Sequence, residues 1–135
     1  MSSPPYRVGR ARTGLGLFAT EPIAKGALVI EYKGPRISNA QAQKKERRGA
    51  RYLFEIDSRW TIDGSPRANI ARYANHSCRP NMEAELVRGR MMLRATRRIR
   101  AGDELTYDYG REYLDLFIPV CHCASCKKRR CRAGR

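Results

Sequence analysis

Cysteine placement constrains this chain more than any local pattern. Cys78 stands alone in the middle, while Cys121, Cys123, Cys126 and Cys131 crowd the C-terminal end. Any fold that uses these thiols together must bring the end of the chain back to its middle. Three close thiols and a remote fourth suit a tetrahedral structural Zn²⁺, which takes four thiolates at about 2.3 Å. The absence of an apolar stretch in Met1 to Arg10 argues against a secretory leader, and no run approaches the length of a membrane span. The reading is therefore an intracellular chain in a reducing compartment, where thiols ligate metal rather than pair as disulfides.

The 135 residues suffice for one domain with a single core, and 41% are apolar. Lys and Arg total 28 against 13 acids, a formal net charge of +15. An excess of that size suits a polyanionic partner or setting, such as nucleic acid, chromatin or a ribosome. A merely solvated cationic surface is the plainer alternative.

Met1 to Pro5 reads as a disordered leader, being short, polar and proline-containing. Gly9, Gly14 and Gly16 punctuate a glycine- and arginine-rich segment ending at Leu17-Phe18-Ala19. A turn at Lys25-Gly26 precedes Ala27 to Tyr32, whose β-branched content predicts a strand. Ser38 and Gln41 form a capping-box pattern, which predicts a short helix over Ala40 to Arg48, stopped by Gly49. Tyr52 to Ile56 and Trp60 to Ile62 read as a hairpin around Asp57-Ser58-Arg59. Met82 to Val87 and Met91 to Thr96 read as a second, turning at Arg88-Gly89-Arg90. Ile99 to Gly102 turns into Glu104 to Tyr107. Six to eight short strands and one helix make a mainly β architecture.

Four blocks carry a resemblance: Gly14-Leu15-Gly16-Leu17-Phe18, Glu31-Tyr32-Lys33-Gly34, Ala71 to Asn81 with Asn75-His76-Ser77-Cys78 at its centre, and Glu104 to Gly110. In that order they resemble the SET-domain protein lysine methyltransferases. The resemblance implies a mainly β SET-domain fold of small sheets, with one short helix and a pseudo-knot. There the Asn-His and Tyr-x-Tyr segments thread past each other. It divides the chain into a leader at 1–5, a SET domain at 6–117 and a zinc-binding, post-SET-like tail at 118–135. Relatives with such a tail place the third cysteine four residues after Cys-x-Cys, whereas here it follows after two. Cys78, Cys121, Cys123 and Cys126 remain the expected ligands, with Cys131 the substitute for Cys126 and His122 a spacer. Lys127 to Arg130 would offset the negative charge of four thiolates; the same run also reads as a nuclear address or nucleic-acid patch.

The implied reaction moves a methyl group from the sulfonium of S-adenosylmethionine to a lysine amine. Lysine is protonated at neutral pH, and removing its proton at pH 7 costs roughly 4 to 5 kcal/mol. An apolar, aromatic channel lowers that cost by desolvating the ammonium while tolerating it through cation–π contact. Tyrosines and backbone carbonyls therefore serve better than a strong base. The resemblance makes Tyr109 the catalytic tyrosine and Tyr52 a second channel tyrosine that approaches the methyl donor. Tyr107 falls where the family alternates between tyrosine and phenylalanine, and tyrosine there resembles enzymes that stop at one methyl. Cofactor contacts carry over to Gly14, Leu15 and Gly16, and to Asn75 and His76, with Tyr32 and Arg72 as neighbours. Leu15 departs from the tryptophan common between those glycines.

The implied substrate is an exposed lysine on a histone tail or a basic nucleoid or ribosomal protein, close to nucleic acid. That places the chain in the nucleus on chromatin if eukaryotic, or in the cytoplasm or nucleoid if bacterial. The alternative is a basic zinc-containing module that docks on chromatin or nucleic acid without catalysis.

Overall fold

The computed structural model describes residues 3–12 and 14–110, and the four C-terminal cysteines lie outside them. Within this range the chain forms ten strands and one α-helix, arranged as one four-stranded and two three-stranded sheets. The strand count exceeds the sequence expectation because four segments outside the runs read as strands become strands by pairing.

The first two of these are β1 (Tyr6–Ala11) and β2 (Gly14–Ala19), the segment that reads as glycine-rich punctuation. They pair antiparallel with Gly9 opposite Gly16, so two residues without side chains share one rung. A Cβ at Gly16 would fall 2.8 Å from both Ala11 Cβ and a Glu104 carboxylate oxygen, so packing demands glycine there. Thr20 N–H donates to the Pro5 carbonyl at 2.9 Å, which ties residue 5 to the end of β2.

Strand β3 (Leu28–Tyr32) is where its Val-Ile content places it. β4 (Arg36–Ser38) leads into α1 (Asn39–Arg47). The capping box forms as the sequence predicts: Gln41 N–H donates to Ser38 Oγ at 3.2 Å, and Ser38 N–H to Gln41 Oε1 at 3.1 Å. Gly49 follows the helix with φ +92°, a conformation glycine adopts without steric cost. β5 (Leu53–Glu55) and β6 (Trp60–Asp63) form the first expected hairpin, and β4 adds to the far edge of β6.

Lys45 of α1 pins this sheet through a 2.6 Å contact from Nζ to Asp63 Oδ2. Burial alone would raise the Asp63 pKa; the Lys45 and Ser65 hydrogen bonds outweigh it and hold the carboxyl below its usual 3.8. A carboxyl depressed in the folded state adds stability that is complete above its unfolded pKa and lost as pH falls through the folded value. Chemical denaturation at pH 6 and pH 3 should therefore show a smaller acid loss in Asp63→Asn than in wild type. An equal loss in both would remove Asp63 from the acid response.

A 3₁₀ turn over Ile70–Tyr73 leads into the two-residue β7 (Asn75–His76). The second hairpin, β8 (Met82–Val87) and β9 (Arg90–Ala95), pairs Val87 with Arg90 and leaves Arg88-Gly89 as a two-residue loop. Their φ values of 50° and 81° make it the left-handed turn that matches strand twist. Glycine suits its site, but Arg88 accepts a conformation that costs a side-chain-bearing residue roughly 1–2 kcal/mol.

The last strand, β10 (Glu104–Tyr107), lies between β2 and β7 and so joins early, middle and late segments of the chain. It runs antiparallel to β2 and parallel to β7, with Thr106 beside Asn75 and Tyr107 beside His76. Leu17, Met82, Leu93, Ile99 and Leu105 are fully buried behind it, from strands of two sheets and the loop before β10. Each such side chain contributes about 1.5–3 kcal/mol on leaving water. Buried Asn81 clamps β10 from the side: it donates to Glu104 O at 2.8 Å and accepts from Thr106 N–H at 3.0 Å.

Candidate active site

The β7–β10 pairing brings the Asn75-His76 segment against the Tyr107-Asp108-Tyr109 segment. Ser77 N–H donates to the Tyr107 carbonyl at 3.2 Å, continuing the pairing past β7. Tyr109 then folds back over His76. Its N–H donates to His76 Nδ1 at 3.1 Å, and its hydroxyl donates to the Ala74 carbonyl at 2.6 Å. A ring nitrogen that accepts cannot carry the proton, so the His76 proton belongs on Nε2, which lies 3.2 Å from Cys78 Sγ. The imidazole, buried and engaged at both nitrogens, orients Tyr109 and Cys78.

Aromatic rings line up from this point. His76 and Tyr109 lie 5.4 Å apart, Tyr109 and Tyr107 4.9 Å, Tyr107 and Phe54 6.2 Å, and Phe54 and Tyr32 5.2 Å. Such tilted and offset pairs favour a fixed wall over mobile rings. Phe54 lines the same cleft and was not singled out from the sequence. It stands between Tyr107 and Tyr32 in the row, and its signal was the Tyr52-x-Phe54 spacing, which puts both side chains on one side of an extended segment. Gly64 permits the row, since a Cβ there would fall 2.4 Å from a Tyr32 ring carbon.

The wall opens on a cleft of about 790 Å³ whose other side is α1, with Asn39, Gln43 and Glu46. Tyr32, Tyr52, Phe54, Arg72, Tyr107 and Tyr109 all line it. The Arg72 guanidinium lies 4.6 Å from the Tyr52 ring centre and 5.3 Å from that of Tyr73, and donates to the Ser65 carbonyl. Its Nε is buried and has no hydrogen-bond partner among the described residues.

Gly14, Leu15, Gly16 and Asn75 form a second group outside that cleft lining. Asn75 Nδ2 donates to the Leu15 carbonyl at 3.0 Å and to a Glu104 carboxylate oxygen at 2.8 Å, which fastens the glycine segment to β10. The glycines sit in a paired strand rather than a turn. Gly14 has φ +125° with open space where a Cβ would be, and Leu15 is 57% exposed. The two groups meet at Ala74-Asn75-His76, whose atoms hold Tyr109 on one side and the glycine segment on the other.

Cys78 is the one expected metal ligand among the described residues. No group of three or more His, Cys, Asp or Glu side chains is placed there to hold a metal. Cys121, Cys123, Cys126 and Cys131 lie outside them.

The SET domain pattern matches residues 14–110, most of the chain, and the chain belongs to that family. It is 41% identical over 128 residues to the histone-lysine N-methyltransferase trithorax of Drosophila virilis, covering 88% of this chain and 3% of that protein. Against the human histone-lysine N-methyltransferase 2D it is 40% identical over 128 residues, covering 85% and 2%. Among solved structures it resembles a chain of "ctPRC2 in an autoinhibited conformation bound to S-adenosylmethionine", with TM-score 0.73 and 32% identity over 85% of this chain and 16% of that one. The chain thus spans a few per cent of the length of these curated relatives.

Proposed function

We propose that this chain is an S-adenosylmethionine-dependent protein-lysine N-methyltransferase, acting mainly as a monomethyltransferase on a histone or another basic, nucleic-acid-associated protein. The observation that carries the reading is Tyr109: a hydroxyl fixed on the Ala74 carbonyl at the end of an aromatic wall. Two likenesses support it. The trithorax and 2D relatives are histone-lysine N-methyltransferases, and the structural neighbour is bound to S-adenosylmethionine.

S-adenosylmethionine, when bound, supplies a methyl group on a positively charged sulfonium. The open backbone at Gly14-Leu15, the adjoining Asn75 and the buried Arg72 Nε suit a ligand with amino, carboxylate and ring edges. The rings of Tyr107, Phe54 and Tyr52 desolvate an entering lysine, which lowers its pKa and raises the share carrying a lone pair. With its proton committed to Ala74, the Tyr109 oxygen acts toward anything else only as an acceptor. Its dipole then favours positive charge and an amine N–H, the groups this transfer brings there.

The monomethyl assignment rests on Tyr107, whose hydroxyl takes up room beside the amine. Tyr107→Phe should shift the product from mono- to di- and trimethyllysine, read by mass spectrometry of a histone substrate. Trimethyl product formed as readily by wild type would exclude the assignment. Radiolabelled methyl transfer to mixed histones and cell extract separates the enzyme from a non-catalytic chromatin or nucleic-acid module. Absence of labelling together with salt-dependent nucleic-acid binding would favour the module.

Cys78, with Cys121, Cys123 and Cys126, has the donor chemistry for a structural Zn²⁺. A histone substrate would set the chain on chromatin, hence in the nucleus of a eukaryote. Among the described residues, no helix is long and apolar enough to cross a membrane.

A further inference from the structure

We infer that the tips of the two hairpins form a binding site for single-stranded nucleic acid, built from Arg36, Arg59, Arg88, Arg90 and Trp60. This rests on the polyanionic setting read from the net charge and is separate from the methyl-transfer site. The tips belong to different sheets, and Arg36 joins them by donating to the Gly89 carbonyl. On β4, Arg36 is two residues from Ser38, the cross-strand partner of Trp60, so arginine and indole share one sheet face.

One carboxylate of this patch is locally satisfied. Asp57 accepts the N–H groups of Arg59 and Trp60 at 2.8 and 2.9 Å and is further influenced by the Arg36 and Arg59 charges. Four exposed arginines, of which Arg36 is bonded to the Gly89 carbonyl, therefore stand against Asp57 and the exposed Glu55, whose carboxylate accepts from Asn39 Nδ2 at 3.5 Å.

Two features are unexplained by folding. Trp60, the only tryptophan, is 41% exposed. Arg88 holds φ 50° in a turn position that asparagine or glycine fills more comfortably. A strained residue kept where an easier one fits indicates a use for its side chain. Phosphates answer the guanidiniums, and an exposed indole face answers a base that is not already stacked in a duplex. Single strands satisfy both.

The test is fluorescence anisotropy of the full chain with short labelled oligothymidylate and oligouridylate over a salt series. Arg88→Ala with Arg90→Ala should weaken binding about tenfold and lower the salt slope by about 1.4, since each lost phosphate contact on a single strand removes about 0.7. Trp60→Ala should weaken binding roughly tenfold without changing the slope. Arg97→Ala with Arg98→Ala removes the same charge beyond the other end of β9, about 20 Å away, and should have little effect. Arg88→Asn separates binding from folding: it should raise the melting temperature while weakening binding. No binding by wild type would overturn both the site and the polyanion reading. Binding lost equally in the Arg97/Arg98 control, kept in the patch variants, or tighter for duplex would overturn the site alone.

Discussion

Tyr109→Phe should lower kcat for methyl transfer by about 10²- to 10³-fold while the protein remains folded, the range set by loss of one preorganised polar group in a catalytic site. The substitution keeps the ring, and with it the contacts to Tyr107 at 4.9 Å and His76 at 5.4 Å. It also keeps the backbone N–H that donates to His76 Nδ1. What it removes is the hydroxyl that sits 2.6 Å from the Ala74 carbonyl. The part-buried carbonyl then lacks this donor, at a cost of about 1 kcal/mol. Paired measurements of kcat and melting temperature distinguish the effects: a large fall in rate with a small fall in stability supports the assigned role. Activity within threefold of wild type would sink it.

Asn75→Ala should produce the second largest effect, this time on cofactor affinity and stability together. One amide nitrogen serves both the Leu15 carbonyl and the Glu104 carboxylate. Removing it frees the glycine segment and strips a donor from a carboxylate packed against Gly16. The two bonds together contribute about 2 kcal/mol, the charged one the larger share. For a domain of this size that is roughly 6 to 10 °C in melting temperature. S-adenosylmethionine affinity by calorimetry should fall about tenfold or more, as a positioned backbone becomes mobile. Asn75→Asp should be worse than alanine, because it sets a second carboxylate beside Glu104. An aspartate variant as stable as wild type would show that Glu104 is not the partner that matters.

The helix and both hairpins were legible because each is decided by residues close in sequence. Ser38 and Gln41 are three apart, and Arg88-Gly89 closes its own turn. β1, β2, β4 and β7 were not. Gly9 and Gly16 carry no strand signal separately and form a rung only when paired. Asn75–His76 is a strand solely because β10 arrives beside it. Among site residues, Tyr32, Tyr52, Arg72, Tyr107 and Tyr109 were singled out from sequence and do line one cleft. Phe54 escaped because an aromatic in a strand looks like core until its neighbours are known.

The sequence by itself determined the chemistry available to this protein. It supplied the residue types of the Asn75-His76 and Tyr107-x-Tyr109 blocks, the capped helix, the thiols and the +15 charge. Covalent order and local propensity carry that much. Only the tertiary structure decided what each group does. It put the proton of His76 toward Cys78, spent the Tyr109 hydroxyl on Ala74, and divided Asn75 between a carbonyl and a carboxylate. These assignments rest on hydrogen bonds spanning up to 60 residues of sequence. Such contacts exist only after the core has closed, when a buried polar atom must take whichever partner the packing leaves within reach.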